Sequence, residues 1–185
     1  YLVRLLFKPS RQTSLYAQFR TENKGLNAAS TASVIDYVAK VNRKSYLVYY
    51  EFSPTPVVNL KSRVQFSSYE RESTQTTGYF ISQDVNLTFS RFRLSTRYAI
   101  FHTDGYDTRQ YAYERDVLYA FSIPAFSGRG TRVYGLLQVA LLRQLDVWVK
   151  YGLTHYRKQD TIGTGLETIE GAKRADVKVQ ARYTF

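Results

Sequence analysis

Basic side chains stand at alternate positions along several stretches of this chain, a spacing that would hold anions along one surface. Lys61 and Arg63 are two residues apart, and Arg93 and Arg97 are four apart. Because successive residues of a β-strand point to opposite faces, this spacing gathers the positive charges on one face of a sheet. With a formal net charge of +11, the chain suits contact with nucleic acid or with anions inside a pore.

Groups suited to enzymatic catalysis are sparse in the sequence. The only histidines are His102 and His155, and a hydrolase would need one of them beside a carboxylate and a nucleophile such as Ser95. Asp104 and Asp107 are close to His102 in the chain, but no spacing singles out a catalytic set. Nor does the sequence offer a plausible trio of metal ligands. We therefore expect a non-enzymatic protein without metal or cofactor.

Nine stretches of period-two alternation position these side chains. They are separated by clusters of Gly, Pro, Ser and Asn, which predict turns. The segment VIDYVAKV at 34–41 is the one place where a short helix is predicted. The sequence thus predicts an all-β chain of about nine to ten strands, with strands at residues 1–8, 14–22, 45–52, 57–70, 79–89, 92–101, 132–142, 145–156 and 176–185.

Connections between these strands alternate in length. Barrels of the bacterial outer membrane have this asymmetry, with short turns on one side and longer loops on the other. Strands of about 9–11 residues are also long enough to cross a bilayer at a tilt. We therefore predict an antiparallel transmembrane β-barrel, or the C-terminal portion of a larger one. Short turns are predicted near 9–13, 53–56, 90–91 and 142–144, and long loops near 23–44, 71–78, 104–131 and 157–174.

The polar face of the strands is expected to line the interior of the barrel, and the apolar face to meet lipid. A charge near the middle of the lipid face would cost about 2–4 kcal/mol, which assigns the charged residues to the inside. Apolar-face aromatic residues at Tyr1, Tyr46, Tyr79 and Phe185 suit interfacial girdles. The predicted lumen-lining residues, in which cations outnumber anions, are Arg4, Arg20, Glu51, Lys61, Arg63, Asp84, Arg93, Arg97, Arg132, Lys150, Lys178 and Arg182.

The closing strand has an alternating apolar pattern that ends on Phe185. Val177, Val179, Ala181 and Tyr183 precede it at every second position. This pattern resembles the C-terminal signature of bacterial outer-membrane proteins. The resemblance implies that the barrel-insertion machinery recognises these five residues.

Two longer segments are similar to a narrower family. The stretches FHTDGYDTRQYAYERDVLYAFSIPAFSGRGTRVY (101–134) and YRKQDTIGTGLETIEGAKRADVKVQARYTF (156–185) resemble the C-terminal barrel region of Bacteroidetes-type helix-hairpin-helix-containing outer-membrane proteins. The resemblance implies a Gram-negative outer-membrane protein and offers no enzymatic residues to carry over. Because single-chain bacterial barrels normally have an even number of strands, nine strands also suggest that residues 1–185 are one barrel domain preceded by further sequence.

Three functions remain open from the sequence. A channel with a positively biased, porin-like lumen would favour anions. A non-conducting structural subunit would hold other envelope proteins in an outer-membrane complex. A soluble basic β-protein could bind nucleic acid, but its aromatic residues would then share a face with Lys and Arg, whereas here they mostly lie opposite. We expect outer-membrane lipid, the insertion machinery and other envelope proteins as partners, and no nucleic acid.

The charged and aromatic stretch within 104–131 is long for a loop. It is either an exposed or inward-folded plug that gates the pore or docks a partner, or a hairpin packed on itself.

Overall fold

The computed structural model describes residues 1–28, 37–157, 159–163 and 165–185, and its main feature is one antiparallel sheet of nine strands. Each of these strands pairs with the next one along the chain. The first and last strands form the two edges and do not pair with each other, so the sheet is open. The predicted all-β antiparallel fold is confirmed. The strands are β1 (Leu2–Ser10), β2 (Thr13–Ala28), β3 (Tyr37–Phe52), β4 (Val58–Arg71), β5 (Thr74–Thr88), β6 (Phe92–Thr103), β7 (Arg129–Leu142), β8 (Leu145–Tyr156) and β9 (Lys173–Tyr183).

Within the described residues, no helix has the length and apolar character that crossing a bilayer would need.

The hairpin of β2 and β3 is longer than predicted. Its paired residues run from Thr13 opposite Phe52 to Ala28 opposite Tyr37, so much of the predicted connection 23–44 is strand. The helix predicted over 34–41 is wrong where the structure describes it, because 37–41 belongs to β3, and 34–36 lie outside the described residues. Pairing with β2 satisfies the backbone of this segment, whereas an isolated helix of eight residues would be marginal in water.

The connection between β4 and β5 is also shorter than predicted. The polar loop expected at 71–78 reduces to a turn at Glu72 and Ser73, because β5 already begins at Thr74, opposite Arg71. The segment TQTT is polar, which suggested a loop, but its β-branched threonines favour a strand. The two other long connections on this side are present, as residues 104–128 between β6 and β7 and residues 157–172 between β8 and β9.

Burial alternates along the central strands in the sense opposite to that of a soluble sheet. In β5, Ser82, Asp84 and Asn86 are buried, whereas Ile81 is 45% exposed. Soluble proteins normally bury isoleucine and expose aspartate. We call the face that carries Ser82, Asp84 and Asn86 the inner face, and the face that carries Ile81 the outer face.

Residues 104–128, here called the insert, fold over the inner face. The insert contains a 3₁₀ turn at Tyr106–Thr108 and a short antiparallel pair formed by Gln110–Tyr111 and Ala125–Phe126. A further bridge joins Glu114 to Ser122. The insert is therefore a small hairpin that also docks on the sheet, which combines the two alternatives considered for this segment.

Two apolar clusters pack the insert against the sheet. Phe126, which is 2% exposed, lies with its ring centroid 4.8 Å from Phe80 and 5.2 Å from Phe101. Further along the insert, Val117 and Leu118 pack against a second cluster on β7 and β8. Burial of this apolar surface stabilises the docked position. The second cluster consists of Tyr134, Leu136 and Trp148.

Candidate functional site

An ion-pair network ties the insert to strands β7 to β9. Arg132 on β7 donates two hydrogen bonds of 2.9 Å to the carboxylate of Glu114 in the insert. Its Nη1 also donates to Asp176 on β9, at 2.8 Å, and to the hydroxyl of Thr154. The side chain of Glu114 is fully buried. Because a buried carboxylate is stable only when it is paired, the position of Glu114 depends on Arg132.

The second carboxylate of the insert, Asp116, bridges two lysines. Its Oδ2 lies 2.6 Å from Nζ of Lys178 and 3.2 Å from Nζ of Lys150. Lys150 is also 3.5 Å from Glu114. Burial acts to raise the pKa of Asp116, but hydrogen bonds from Lys178 and the Val117 N–H, with the charge of Lys150, hold it below its ordinary value of 3.8. The insert thus brings two negative charges to the inner face.

A third anchor lies on β5 and β6. Arg97 donates to both oxygens of Asp84, at 2.5 and 2.6 Å, and to the carbonyl of Tyr113 in the insert at 2.7 Å. Arg115 of the insert donates to Ser95 on β6 at 3.0 Å. Bidentate pairs of the Arg97–Asp84 kind fix both side chains in orientation. The insert is therefore held from β6 as well as from β7 to β9.

Two arginines, Arg4 on β1 and Arg63 on β4, have no acidic partner of this kind among the described residues. Arg4 donates to Gln18 and lies over the ring of Tyr16. Arg63 donates to Gln65 and to the carbonyl of Tyr111, but it forms no salt bridge with any carboxylate in the described ranges. The β1–β4 side therefore keeps uncompensated positive charge, whereas the carboxylates of the insert pair with Arg132, Lys150 and Lys178 on the β7–β9 side.

The register places the predicted lumen-lining residues on the inner face. Cross-strand partners share a face, and Glu51 pairs with Lys61, Lys61 with Asp84, and Asp84 with Arg97. Their assignment to an aqueous lumen stays a prediction. The structure forms salt bridges at Arg20–Glu22, Lys61–Glu51, Arg97–Asp84, Arg132–Glu114, Arg132–Asp176, Lys150–Asp116, Lys178–Asp116 and Arg182–Asp146, while Arg4, Arg63 and Arg93 form none with the described carboxylates.

Sequence reasoning missed Arg43, Glu114 and Asp116, which also contribute charge at the inner face. The sequence placed Arg43 in a loop, but it lies on β3, on the inner face, opposite Glu22. Extending the alternation of β3 backwards through Arg43 would have identified it. For Glu114 and Asp116 no local signal existed, because Arg132 lies 18 residues from Glu114 and Lys178 lies 62 residues from Asp116.

A row of aromatic residues crosses the outer face of β2 to β5. Phe19, Tyr46, Phe66 and Tyr79 are successive cross-strand partners on β2 to β5. The ring centroids of Phe19 and Tyr46 are 5.0 Å apart, and those of Tyr46 and Phe66 are 6.3 Å apart. This row includes two of the four residues predicted for girdles, and the interfacial role stays a prediction.

The C-terminal signature lies at one free edge of the sheet. Val177 and Val179 on β9 are 64% and 68% exposed, and Tyr183 ends the strand. Phe185 lies beyond the strand, with its ring 5.1 Å from that of Tyr183. Recognition of this segment by the insertion machinery stays a prediction.

The candidate catalytic groups do not assemble. His102 lies 3.4 Å from Asp104, whereas Ser95 accepts a hydrogen bond from Arg115. Ser95 and His102 are seven positions apart on β6, which separates them by roughly 23 Å. In the part of the chain that the structure describes, no three His, Cys, Asp or Glu residues are grouped so that they could hold a metal ion.

Comparison with known proteins identifies the fold. No protein-family model and no curated protein matches this chain. OmpT (in-vitro folded), an outer membrane protein of Vibrio cholerae, is similar in structure, with a TM-score of 0.55 and 12% identity over 97% of this chain and 53% of that chain. The copper transporter OprC has the same TM-score and identity over 97% of this chain and 32% of its own. This chain therefore spans about half of the first protein and a third of the second, and its fold is that of outer-membrane β-barrels.

Proposed function

We propose that this chain forms part of the wall of a bacterial outer-membrane β-barrel whose lumen admits small anions. The observation that carries the proposal is the uneven charge of the inner face. Glu114 and Asp116 pair with Arg132, Lys150 and Lys178 of β7 to β9, whereas Arg4, Lys8 and Arg63 form no salt bridge with the described carboxylates. A lumen with one uncompensated basic wall concentrates anions and repels cations.

The outer face supports a location in lipid. Val48, Val64, Ile81 and Ile100 are successive cross-strand partners on β3 to β6. Each of them is at least 40% exposed. A contiguous apolar row of this kind in water would favour aggregation, whereas the outer surface of a membrane barrel requires it.

The docked insert supports a narrowed passage. It covers the inner face of β5 to β8 through Arg97, Arg132 and Lys150, all of which are buried. The inner face of β1 stays uncovered, since every residue of that strand is exposed. Solutes would therefore pass along the basic β1–β4 side.

Reversal potentials of the full-length protein in planar bilayers under a salt gradient test this function. We expect permeability to chloride to exceed permeability to potassium, because the uncompensated guanidinium and ammonium groups attract anions. Preference for potassium would contradict the proposal. Extraction gives an independent check, since a barrel requires detergent, whereas a soluble nucleic-acid binder does not.

A non-conducting structural subunit is the second candidate, and the same insert favours it. The side chains of Glu114 and Asp116 are fully buried, which favours an anchored plug over a loose loop. No single-channel events, together with defined envelope proteins that co-purify, would favour this role.

Membership of the helix-hairpin-helix-containing outer-membrane family is likewise a proposal that follows from the sequence resemblance.

A further inference from the structure

We infer that a cavity between the insert and strands β2 to β4 binds a phosphate-type oxyanion. The cavity has a volume of about 300 Å³, and among the described residues four arginines and a single carboxylate line it. Ligand pockets begin at about this size, roughly 300 Å³, so a phosphate or a small phosphorylated solute fits. The inference deepens the proposed function, on which it rests, because it treats the inner face as open to solutes. The charged lining residues are Arg20, Glu22, Arg43, Arg63 and Arg109.

Arg63 is the strongest sign of a missing anion. The buried cations of the inner face, Arg97, Arg132 and Lys150, each contact a carboxylate, whereas Arg63 is half-buried. Arg63 contacts none in the described ranges, and its Nε is buried without a hydrogen-bond partner. A partly buried guanidinium without a counter-charge is unfavourable, so an anion beside it would be stabilised.

The insert preorganises the arginines of this cavity. Nη2 of Arg63 donates to Gln65 at 2.6 Å and to the carbonyl of Tyr111 at 2.8 Å. Nη2 of Arg43 donates to the carbonyl of Arg109 at 3.4 Å. Arg109 itself lies over the ring of Tyr106, 4.2 Å from its centroid, and donates to the Tyr111 hydroxyl. Side chains that are already held in place lose less entropy when they bind a ligand.

The one acidic group of the cavity does not cancel its charge. Glu22 is engaged by Arg20 at 3.4 Å and by Lys24 at 2.5 Å. Arg43, Arg63 and Arg109 therefore remain for a ligand. Guanidinium groups match oxyanions through paired N–H donors, which favours phosphate over a spherical ion such as chloride.

Binding to the full-length protein in detergent tests the inference. Isothermal titration calorimetry with inorganic phosphate, and separately with glycerol 3-phosphate, is performed at constant chloride concentration on the wild type and on Arg63→Gln. We expect Arg63→Gln to weaken binding about tenfold or more, because a charged hydrogen-bond donor is lost. Arg63→Lys should recover part of this loss, since it restores the charge without the planar fork.

Arg93→Gln is the matched control, because it removes an equal charge from an exposed inner-face position outside the cavity. It should change affinity by no more than about twofold. Dependence on Arg63 with both probes supports a site for phosphate groups on larger solutes, and dependence with inorganic phosphate alone supports a site for the free ion. Equal weakening by Arg63→Gln and Arg93→Gln, or no binding of either probe, would overturn the inference.

Two further measurements keep the test decisive. Heat-modifiable gel mobility reports whether each variant is folded. The second measurement is phosphate binding by Arg43→Gln, which removes one long hydrogen bond to the insert and should also weaken binding. Anion-selective conduction without Arg63-dependent binding would remove the site and leave the proposed function. Arg63-dependent binding in a cation-selective or non-conducting protein would support the phosphate site and contradict the proposed anion conduction.

Discussion

Replacing Glu114 with glutamine removes the negative charge at the centre of the network that holds the insert on the inner face. The change keeps the shape of the side chain and leaves Arg132 and Lys150 in place. Both cations are buried, with side chains 8% and 1% exposed. We therefore expect the insert to dock less tightly, because the docked state would contain an excess buried positive charge.

The size of the effect follows from the partners that remain. Breaking a buried ion pair by removing one partner costs about 3–5 kcal/mol. Arg132 keeps Asp176 at 2.8 Å, and Lys150 keeps Asp116 at 3.2 Å, which places this case at the low end. A loss of about 3 kcal/mol corresponds to an increase on the order of 100-fold in the undocked population.

Cysteine labelling can measure this population directly. The chain has no cysteine, and Ala112 of the insert is 1% exposed in the docked state. In Ala112→Cys, a water-soluble maleimide reaches the thiol only when the insert leaves the inner face. The labelling rate then follows the population of the open state, and Glu114→Gln in this background should raise it on the order of 100-fold.

Asp107→Asn in the same Ala112→Cys background is the control. Asp107 is exposed, lies in the same insert, and forms no salt bridge in the described ranges, so it reports the effect of charge alone. We expect labelling within about twofold of the parent, since surface substitutions change stability little. If Glu114→Gln raises the labelling rate by less than about fivefold, docking has lost only about 1 kcal/mol. This result would refute the ion-pair account and assign docking to the packing of Phe126.

Two other perturbations test the outer face and the electrostatics of the insert. Ile81→Arg, in the apolar row, should destabilise the protein more than Tyr79→Arg, in the aromatic row, in urea unfolding from phospholipid vesicles. The reason is that the cost of an arginine on a lipid-facing surface falls from about 2–4 kcal/mol at the midplane to about 0–1 kcal/mol near the interface. Equal costs would contradict a lipid-facing surface. Docking of the insert lowers the pKa of Asp116. The ionised Asp116 therefore stabilises the docked insert fully above its ordinary pKa of 3.8, and this stabilisation is lost as the pH falls through the lower pKa of the docked state. The emission maximum of Trp148, the only tryptophan, should therefore be constant from about pH 8 to about pH 4 and shift to the red only below the ordinary pKa. A red shift between about pH 5 and pH 7 would contradict this assignment.

The faces of the strands were predictable because alternation is a local property. In a strand such as β9, the alternation of apolar and polar residues identifies the two faces, whatever the strand pairs with. The predicted charged residues accordingly share one face in the register, with Lys61 opposite Asp84 and Asp84 opposite Arg97. The apolar residues between them, such as Ile81, lie on the other face.

The lengths of the hairpins were less predictable. Polar residues continue β2, β3 and β5 beyond the apolar core of each strand, and composition alone made 71–78 appear to be a loop. In these segments the partner strand supplies the hydrogen bonds that decide between strand and loop. The short helix expected near residue 38 is wrong for the same reason, because Val38 pairs with Asn27 across the hairpin.

Local sequence patterns are sufficient to predict the order of strands and turns, the face to which each strand residue points, and the excess of positive charge. Where that excess remains depends on the three-dimensional fold, because the folding of the insert brings Glu114 and Asp116 to Arg132, Lys150 and Lys178. Period-two alternation acts between adjacent residues and can be recognised locally, whereas these pairs join positions 18 to 62 residues apart along the chain. Closing such contacts depends on the packing of the whole insert, with Phe126 between Phe80 and Phe101, and no short sequence pattern encodes that.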